Sequence, residues 1–162
     1  MKQGVSFSFI NEWWEAFESF NDFRMSATMD CYLKGLQDPR LSSYFKVAKK
    51  DGAYHGVRNG QTSRSQGTLS EAGSSMNVGQ ASSILWMDAA ETYFLLAEAK
   101  LRLNLGDKTV KEYYEEGVKT SFSSKGASGA ESYLDNDVNV PSTSFIDPTN
   151  GRNTDVSRMF RL

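Results

Sequence analysis

The chain has 162 residues, of which 39% are hydrophobic, 12% aromatic and 23% charged; this composition excludes an intrinsically disordered protein and predicts a core that needs no metal or disulfide. Its 18 Lys and Arg residues and 20 Asp and Glu residues give a net charge of −2, and no basic run is longer than Lys49 and Lys50, which disfavours nucleic-acid binding. Every apolar stretch is far shorter than the roughly 20 residues of a membrane-spanning helix, so we predict no segment that crosses a bilayer.

Residues 1–10 contain neither the charged leader and apolar core of an export signal nor a small-residue cleavage site. We therefore expect either a cytoplasmic protein or a piece of an exported one. The chain ends on Arg161 and Leu162 without a capping or closing element, which favours a piece of a longer protein.

Two helical patterns precede the first proline. Asn11 opens the first, whose aromatic face consists of Trp13, Trp14, Phe17 and Phe20. The second has an apolar face of Met25, Met29, Tyr32, Leu33 and Leu36. Pro39 suits the first turn of a helix that Asp38 caps, so we predict one short helical turn over Arg40 to Phe45.

Residues 50–83 change in character: they are rich in Gly, Ser, Thr and Gln, and no aromatic residue occurs between Tyr54 and Trp86. The stretch shows no hydrophobic periodicity. Connections of more than ~15 residues without structure are uncommon in packed domains unless they are functional or mobile. We therefore predict a long loop over 50–83.

A helical hairpin is predicted over 88–122. The first helix runs from Asp88 to Asn104, with Glu91 at the capping-box position and Gly106 as a left-handed stop. Thr109 and Glu112 repeat the capping-box spacing at the start of the second helix. Asp88 to Ser121 has the length of one tetratricopeptide unit, about 34 residues. The fold class predicted is mainly α, with tetratricopeptide-like helical hairpins and long polar loops.

A last short helix is predicted around Ala130, Tyr133 and Leu134, and residues 135–162 are predicted to be polar coil with Pro141 and Pro148. Asp135, Asp137 and Asn139 alternate as the first ligands of a calcium loop do. Val140 and Ile146 occupy the positions of the required Gly and Glu, which excludes an EF-hand and leaves a looser oxygen-ligand site or a solvated turn.

His55 is the only histidine and Cys31 the only cysteine. A Ser or Cys triad would depend entirely on His55, and one His with one distant Cys does not fill a zinc ligand set. We therefore predict no enzyme, no metal and no cofactor, and keep a small hydrolase that uses His55 as a rival hypothesis.

Aromatic residues beside polar segments indicate a different chemistry. An exposed aromatic ring stacks on the apolar face of a sugar, while Arg, Asn and Gln side chains bind its hydroxyl groups. Most aromatic residues here have core-facing helical spacing and are interpreted as packing residues. The candidate ligand-binding residues lie together in the predicted loop: Tyr54, His55, Arg58 and Asn59. The alternative is that they are ordinary loop residues.

Three stretches, in this order and spacing, resemble the SusD/RagB family of outer-membrane lipoproteins. They are Phe23 to Met29 with Tyr32-Leu33, Asp38 to Leu41 and Tyr44-Phe45; Tyr54 to Gly60; and Met87 to Lys100 with Gly106 and the helix Tyr114 to Ser121. The resemblance covers about Glu12 to Leu134, which corresponds to the middle section of the family.

The resemblance implies a partial SusD-like fold built on tetratricopeptide-like hairpins. It also implies a protein on the outside of the outer membrane that binds glycan, or in some branches peptide, for nutrient uptake with a SusC-like TonB-dependent transporter. The family is about three times as long and carries a lipid on an N-terminal cysteine. Cys31 lies inside a helical pattern and is not that cysteine, so membrane attachment would be peripheral, through a lipid anchor absent from this chain.

Domain organisation and function keep one alternative each. Residues 1–162 are predicted to be a single helical domain or a fragment of a larger SusD-like domain. The functional alternative to glycan binding is a tetratricopeptide-like adaptor that binds protein or peptide, although only one such unit is evident and repeat proteins need about three to be stable.

Overall fold

A computed structural model describes residues 4–7, 12–15, 18, 20–60 and 65–157. The described part is mainly helical, which confirms the predicted fold class. The helices are α1 (Glu12–Trp14), α2 (Ala27–Gly35), α3 (Leu41–Tyr44), α4 (Gln66–Ala72), α5 (Ala89–Leu103), α6 (Val110–Ser124) and α7 (Ala130–Leu134). The strands are β1 (Gly4–Phe7), β2 (Ile84–Asp88), β3 (Ser144–Ile146) and β4 (Asn153–Asp155).

The chain divides into two compact units. Unit 1 comprises Met1–Phe9 and Ala81–Asp137, and unit 2 comprises Ile10–Gln80 and Val138–Leu162. Unit 2 is therefore built from two segments that are separated in sequence by most of unit 1.

Unit 1 contains the predicted helices at 88–122 and a sheet that was not predicted. Strands β1 and β2 pair antiparallel from Gly4 opposite Asp88 to Phe7 opposite Ile84. Helix α5 begins at its cap Asp88, whose Oδ1 accepts from the Ala90 amide at 3.0 Å. The prediction of a capping box with Glu91 was wrong, because the Asp88 side chain accepts from the amide of Ala90 and not from that of Glu91.

Asn104, and not Gly106, ends α5 in the left-handed conformation at φ 53°; Gly106 is also left-handed at φ 96°, in the turn that follows. At the start of α6 the predicted capping box is present: the Glu112 amide donates to Thr109 Oγ1 at 3.2 Å and the Thr109 amide donates to Glu112 Oε2 at 2.7 Å. Local polar spacing therefore placed this helix start correctly.

The helices of unit 1 pack through small and aromatic residues. A Cβ on Gly117 would lie 2.7 Å from Cε1 of Phe94, so glycine permits the close approach of α5 and α6. In the second half of α6, Val118 and Phe122 form a buried cluster with Ala130 of α7. The short helix predicted around Ala130 is confirmed as α7.

Unit 2 is organised around α2. Ser26 caps this helix by accepting from the Met29 amide, so the helix starts after Met25, which lies in an extended segment. Met25, Leu33 and Phe45 form one buried cluster. Cys31, Phe145 and Val156 form the second, between α2 and the strands β3 and β4.

The short turn predicted after Pro39 is present as α3. Asp38 Oδ1 accepts from the Arg40 amide at 2.9 Å and its Oδ2 pairs with Arg40 Nη2 at 2.5 Å. Within the described residues, the first helix pattern contains the short α1. Phe20 lies at a bend, and Phe17 lies outside the described residues.

Two predicted coil regions contain regular structure. The loop prediction for 50–83 was wrong over Gln66–Ala72, where Ser65 caps α4 by accepting from the Thr68 amide at 3.2 Å; residues 61–64 lie outside the described residues. The coil prediction for 135–162 was wrong over β3 and β4, which pair antiparallel with Phe145 opposite Thr154. Each strand has three residues, which is too short for alternation to show in the sequence.

Candidate functional site

The segment Tyr54–Asn59 is held in unit 2 by backbone hydrogen bonds on two sides. The Ser74 amide donates to the His55 carbonyl at 2.8 Å, and the His55 amide donates to Ser74 Oγ at 2.9 Å. Two residues later, the Val57 amide donates to the Met25 carbonyl at 2.8 Å, and the Ala27 amide donates to the Val57 carbonyl at 2.9 Å. These bonds fix where the side chains of the segment point.

Gly56 lies at the closest approach of this segment to α2. A Cβ at this position would lie 2.4 Å from the Ser26 carbonyl oxygen and 2.8 Å from Asp30 Cβ. The Gly56 amide donates at 2.9 Å to Oδ2 of Asp30, a buried carboxylate whose Oδ1 pairs with Lys34 Nζ at 2.7 Å. The absence of a side chain therefore permits a charge-assisted bond that ties the segment to the helix.

Arg58 and Asn59 lie together on one cleft, which we call the Arg58 cleft. It has a volume of about 280 Å³ and is lined by Ala27, Thr28, Arg58, Asn59, Phe145, Thr154 and Val156. Ala27, Phe145 and Val156 belong to the second apolar cluster of unit 2 and form the apolar floor of the cleft. The remaining lining side chains are polar. A cleft with an apolar floor and a few polar groups suits a small organic ligand whose orientation the polar groups fix.

His55 lies on a different cavity of about 240 Å³, the His55 cavity. Its lining residues are Asp30, Cys31, Lys34, His55, Ser142, Ser144, Phe145 and Ile146. Three of these polar side chains already have partners: Lys34 pairs with Asp30, and His55 Nε2 lies 2.9 Å from Asp51 Oδ2. Phe145, a buried residue of β3, lines both spaces.

Tyr54 packs away from both spaces. It is half-buried against the cluster of Met25, Leu33 and Phe45. The structure thus brings Arg58 and Asn59 together, puts His55 on the neighbouring cavity, and uses Tyr54 as a packing residue beside the core. The ligand-binding role of all four residues stays a prediction.

Two titratable groups beside His55 have shifted pKa values. The Ala53 amide donates to Asp51 and lowers the pKa of its carboxyl, and the hydrogen bond from His55 lowers it further. Burial raises the pKa of the Cys31 thiol, so it is protonated at neutral pH. A protonated thiol is a poor nucleophile, and the only thiol of the chain therefore acts as a small apolar side chain beside Phe145 and Val156.

A family model of SusD-like proteins, described as SusD and RagB outer membrane lipoproteins, matches residues 1–159. This chain belongs to the SusD-like family. The family is mainly helical and tetratricopeptide-like, so the partial SusD-like fold predicted from the sequence is confirmed. The comparison with curated proteins gave no match.

Solved structures of SusD homologues are similar to the chain over almost its full length. A homologue from Bacteroides thetaiotaomicron is 35% identical with a TM-score of 0.86, over 94% of this chain and 32% of that one. A chitin-binding homologue from Flavobacterium johnsoniae is 35% identical with a TM-score of 0.83, over 93% and 32%. A homologue from Bacteroides uniformis is 28% identical with a TM-score of 0.80, over 93% and 33%. The SusD-like chain described here thus spans about a third of the length of these relatives.

Sequence reasoning missed the cleft residues that come from outside the Tyr54–Asn59 segment. Thr28 lies on α2, and Thr154 lies on β4, which the sequence analysis assigned to coil. No local pattern connects Thr154 with Arg58, because the pairing of β3 with β4 puts it there. Within the described residues of this SusD-like chain, no helix is long and apolar enough to span a membrane.

Proposed function

We propose that the chain is part of a SusD-like protein that binds glycan at the surface of the outer membrane without cleaving it. The observation that supports this most directly is the family match over residues 1–159, together with a chitin-binding homologue that is 35% identical over 93% of the chain. The outer-membrane location follows from the family, whose members are described as outer membrane lipoproteins.

The Arg58 cleft supports the proposal with suitable chemistry. A sugar ring presents an apolar C–H face and a rim of hydroxyl groups. The apolar floor of Ala27, Phe145 and Val156 matches the C–H face of the sugar. The amide of Asn59 offers both donors and an acceptor to its hydroxyl groups. We therefore place the first sugar contacts of this unit in the Arg58 cleft and assign Asn59 to hydroxyl binding.

The test is calorimetric titration of the chain with chitooligosaccharides and with starch oligosaccharides, followed by chromatography of the incubated glycan. We expect binding of at least one glycan and no shortened product. Asn59→Ala should weaken binding by about 2- to 10-fold, because one neutral hydrogen bond contributes about 0.5–1.5 kcal/mol. Gln80→Ala is the matched control, since this exposed amide does not line the cleft.

A chain that binds no glycan but captures a defined peptide would contradict the proposal and support the tetratricopeptide-like adaptor. Shortened glycan that disappears in His55→Ala would instead support the hydrolase. Equal binding by wild type and Asn59→Ala would leave glycan binding standing and remove Asn59 from it.

The partner we propose is a SusC-like TonB-dependent transporter that receives the bound glycan. Detergent-solubilised outer membrane should yield this transporter together with the SusD-like protein after affinity purification. Recovery of the SusD-like protein alone, under conditions in which the transporter itself stays soluble, would contradict the partnership.

A further inference from the structure

Arg58 gives the Arg58 cleft a net positive charge. It is the only charged side chain among the lining residues. Its side chain is exposed and forms no ion pair with any carboxylate of the described residues. Within the part of the chain that the structure describes, the guanidinium is therefore not held by a carboxylate.

Two other cations of unit 2, Lys34 and Arg40, have carboxylate partners. Lys34 pairs with the buried Asp30, and Arg40 pairs with the buried Asp38 through Nη2 and also donates from Nε to Oδ1 at 2.9 Å. These two ion pairs lie within unit 2 and give both cations a structural role. Within the described residues, no ion pair gives Arg58 such a role.

The backbone presents Arg58 to the cleft. Val57 and Ser26 form a parallel bridge, and the residues that follow them, Arg58 and Thr28 in the first turn of α2, both line the cleft. Thr154 also lines the cleft, and it lies opposite Phe145 in the pairing of β4 with β3. The lining of the cleft therefore combines the hydroxyl groups of Thr28 and Thr154, the amide of Asn59 and a guanidinium that has no ion pair within the described residues.

We propose, on the basis of the proposed function, that the glycan bound in this cleft is acidic and that Arg58 binds a carboxylate of a uronic acid residue. A guanidinium presents two parallel N–H groups that match the two oxygens of a carboxylate. Asn59, Thr28 and Thr154 then bind the hydroxyl groups of the same sugar, and its C–H face lies on the apolar floor.

The experiment compares oligogalacturonate with the same oligosaccharide after methyl esterification, which removes the charge and keeps the sugar. The titration uses wild type, Arg58→Gln and Arg58→Lys. Arg152→Gln is the matched control, because Arg152 is an exposed arginine of the same unit that does not line the cleft. Circular dichroism of each variant checks that it folds.

We expect wild type to prefer the acidic oligosaccharide by about 10- to 100-fold, the range of a charge-assisted hydrogen bond. Arg58→Gln should abolish this preference, Arg58→Lys should keep part of it, and Arg152→Gln should keep all of it. Raising the ionic strength from about 0.01 M to about 1 M shortens the Debye length from about 30 Å to about 3 Å and should reduce the preference of wild type.

Four outcomes would overturn the inference. Equal binding of the acidic and esterified forms, or binding of chitooligosaccharides alone, would refute the acidic ligand and leave glycan binding intact. A loss in Arg58→Gln no larger than in Arg152→Gln would remove Arg58 from the site. Failure to bind any of these glycans would refute the proposed function itself.

Discussion

Replacement of Gly56 by alanine tests whether the close approach of the Tyr54–Asn59 segment to α2 stabilises the fold. The added Cβ would lie 2.4 Å from the Ser26 carbonyl oxygen and 2.8 Å from Asp30 Cβ. One atom is backbone and the other is the first atom of a buried side chain, so neither moves without shifting α2. Such overpacking costs about 1–3 kcal/mol.

The shift also lengthens the 2.9 Å bond from the Gly56 amide to Asp30. A hydrogen bond to a charged group contributes about 1.5–3 kcal/mol, and part of this would be lost. We therefore expect Gly56→Ala to lower the free energy of unfolding by about 2–4 kcal/mol. With a urea slope of about 2 kcal/mol per M, the unfolding midpoint falls by about 1–2 M.

Gly67→Ala is the control with the opposite expected sign. Gly67 lies exposed in α4, and its added Cβ would meet only Ser65 Oγ at 4.0 Å. Alanine is favoured over glycine in a helix by up to about 1 kcal/mol, so the midpoint should stay or rise by up to about 0.5 M. Urea unfolding followed by circular dichroism measures both variants. Equal midpoints for Gly56→Ala and wild type would refute the close-approach argument.

Three further changes test unit 1. Thr109→Ala removes half of the capping box and should cost about 1 kcal/mol; an unchanged urea midpoint would show that the box contributes nothing. The hydrogen bond from Tyr113 is the largest cause of the lowered pKa of Asp107. A carboxylate whose pKa is lowered by folding stabilises the folded state above the unfolded pKa of about 3.9, and this stabilisation is lost as the pH falls through the folded-state pKa. Tyr113→Phe should therefore raise the Asp107 pKa in an NMR titration and weaken the acid dependence of stability. An unmoved pKa would contradict this cause. Gly117→Ala puts a Cβ 2.7 Å from the Phe94 ring and should lower the thermal midpoint, whereas an unchanged one would mean that the ring turns aside without cost.

Features fixed by neighbouring residues were predictable from the sequence. Thr109 and Glu112 are three residues apart, and their capping box needs no distant partner. The apolar spacing of α5 likewise placed that helix within a residue at each end. Helix α4 was missed because Ser70 and Ala72, its buried residues, are small and carry little hydrophobic periodicity.

Features fixed by distant pairing were not predictable. Strand β1 has four residues and meets β2 about 80 residues later, so no window of sequence contains both. The candidate site divides in the same way: Arg58 and Asn59 were identified locally, whereas Thr154 joins them only through the pairing of β3 with β4. Tyr54 was selected as an aromatic residue in a polar loop, and the sequence does not reveal that Met25 and Phe45 lie beside it.

The division of unit 2 into two chain segments has a consequence for biosynthesis. The Asn139 side chain bonds to the Leu36 carbonyl across 103 residues, and the Ser142 amide bonds to the Cys31 carbonyl at 2.9 Å. During translation, residues 138–157 therefore leave the ribosome only after all of α5 and α6. These two helices pack through contacts that are local in sequence, and such contacts form fast. Until then α2 carries an uncovered apolar face, and the Arg58 cleft lacks the wall that contains Thr154. In this interval the apolar face of α2 is exposed, and exposed apolar surface favours aggregation.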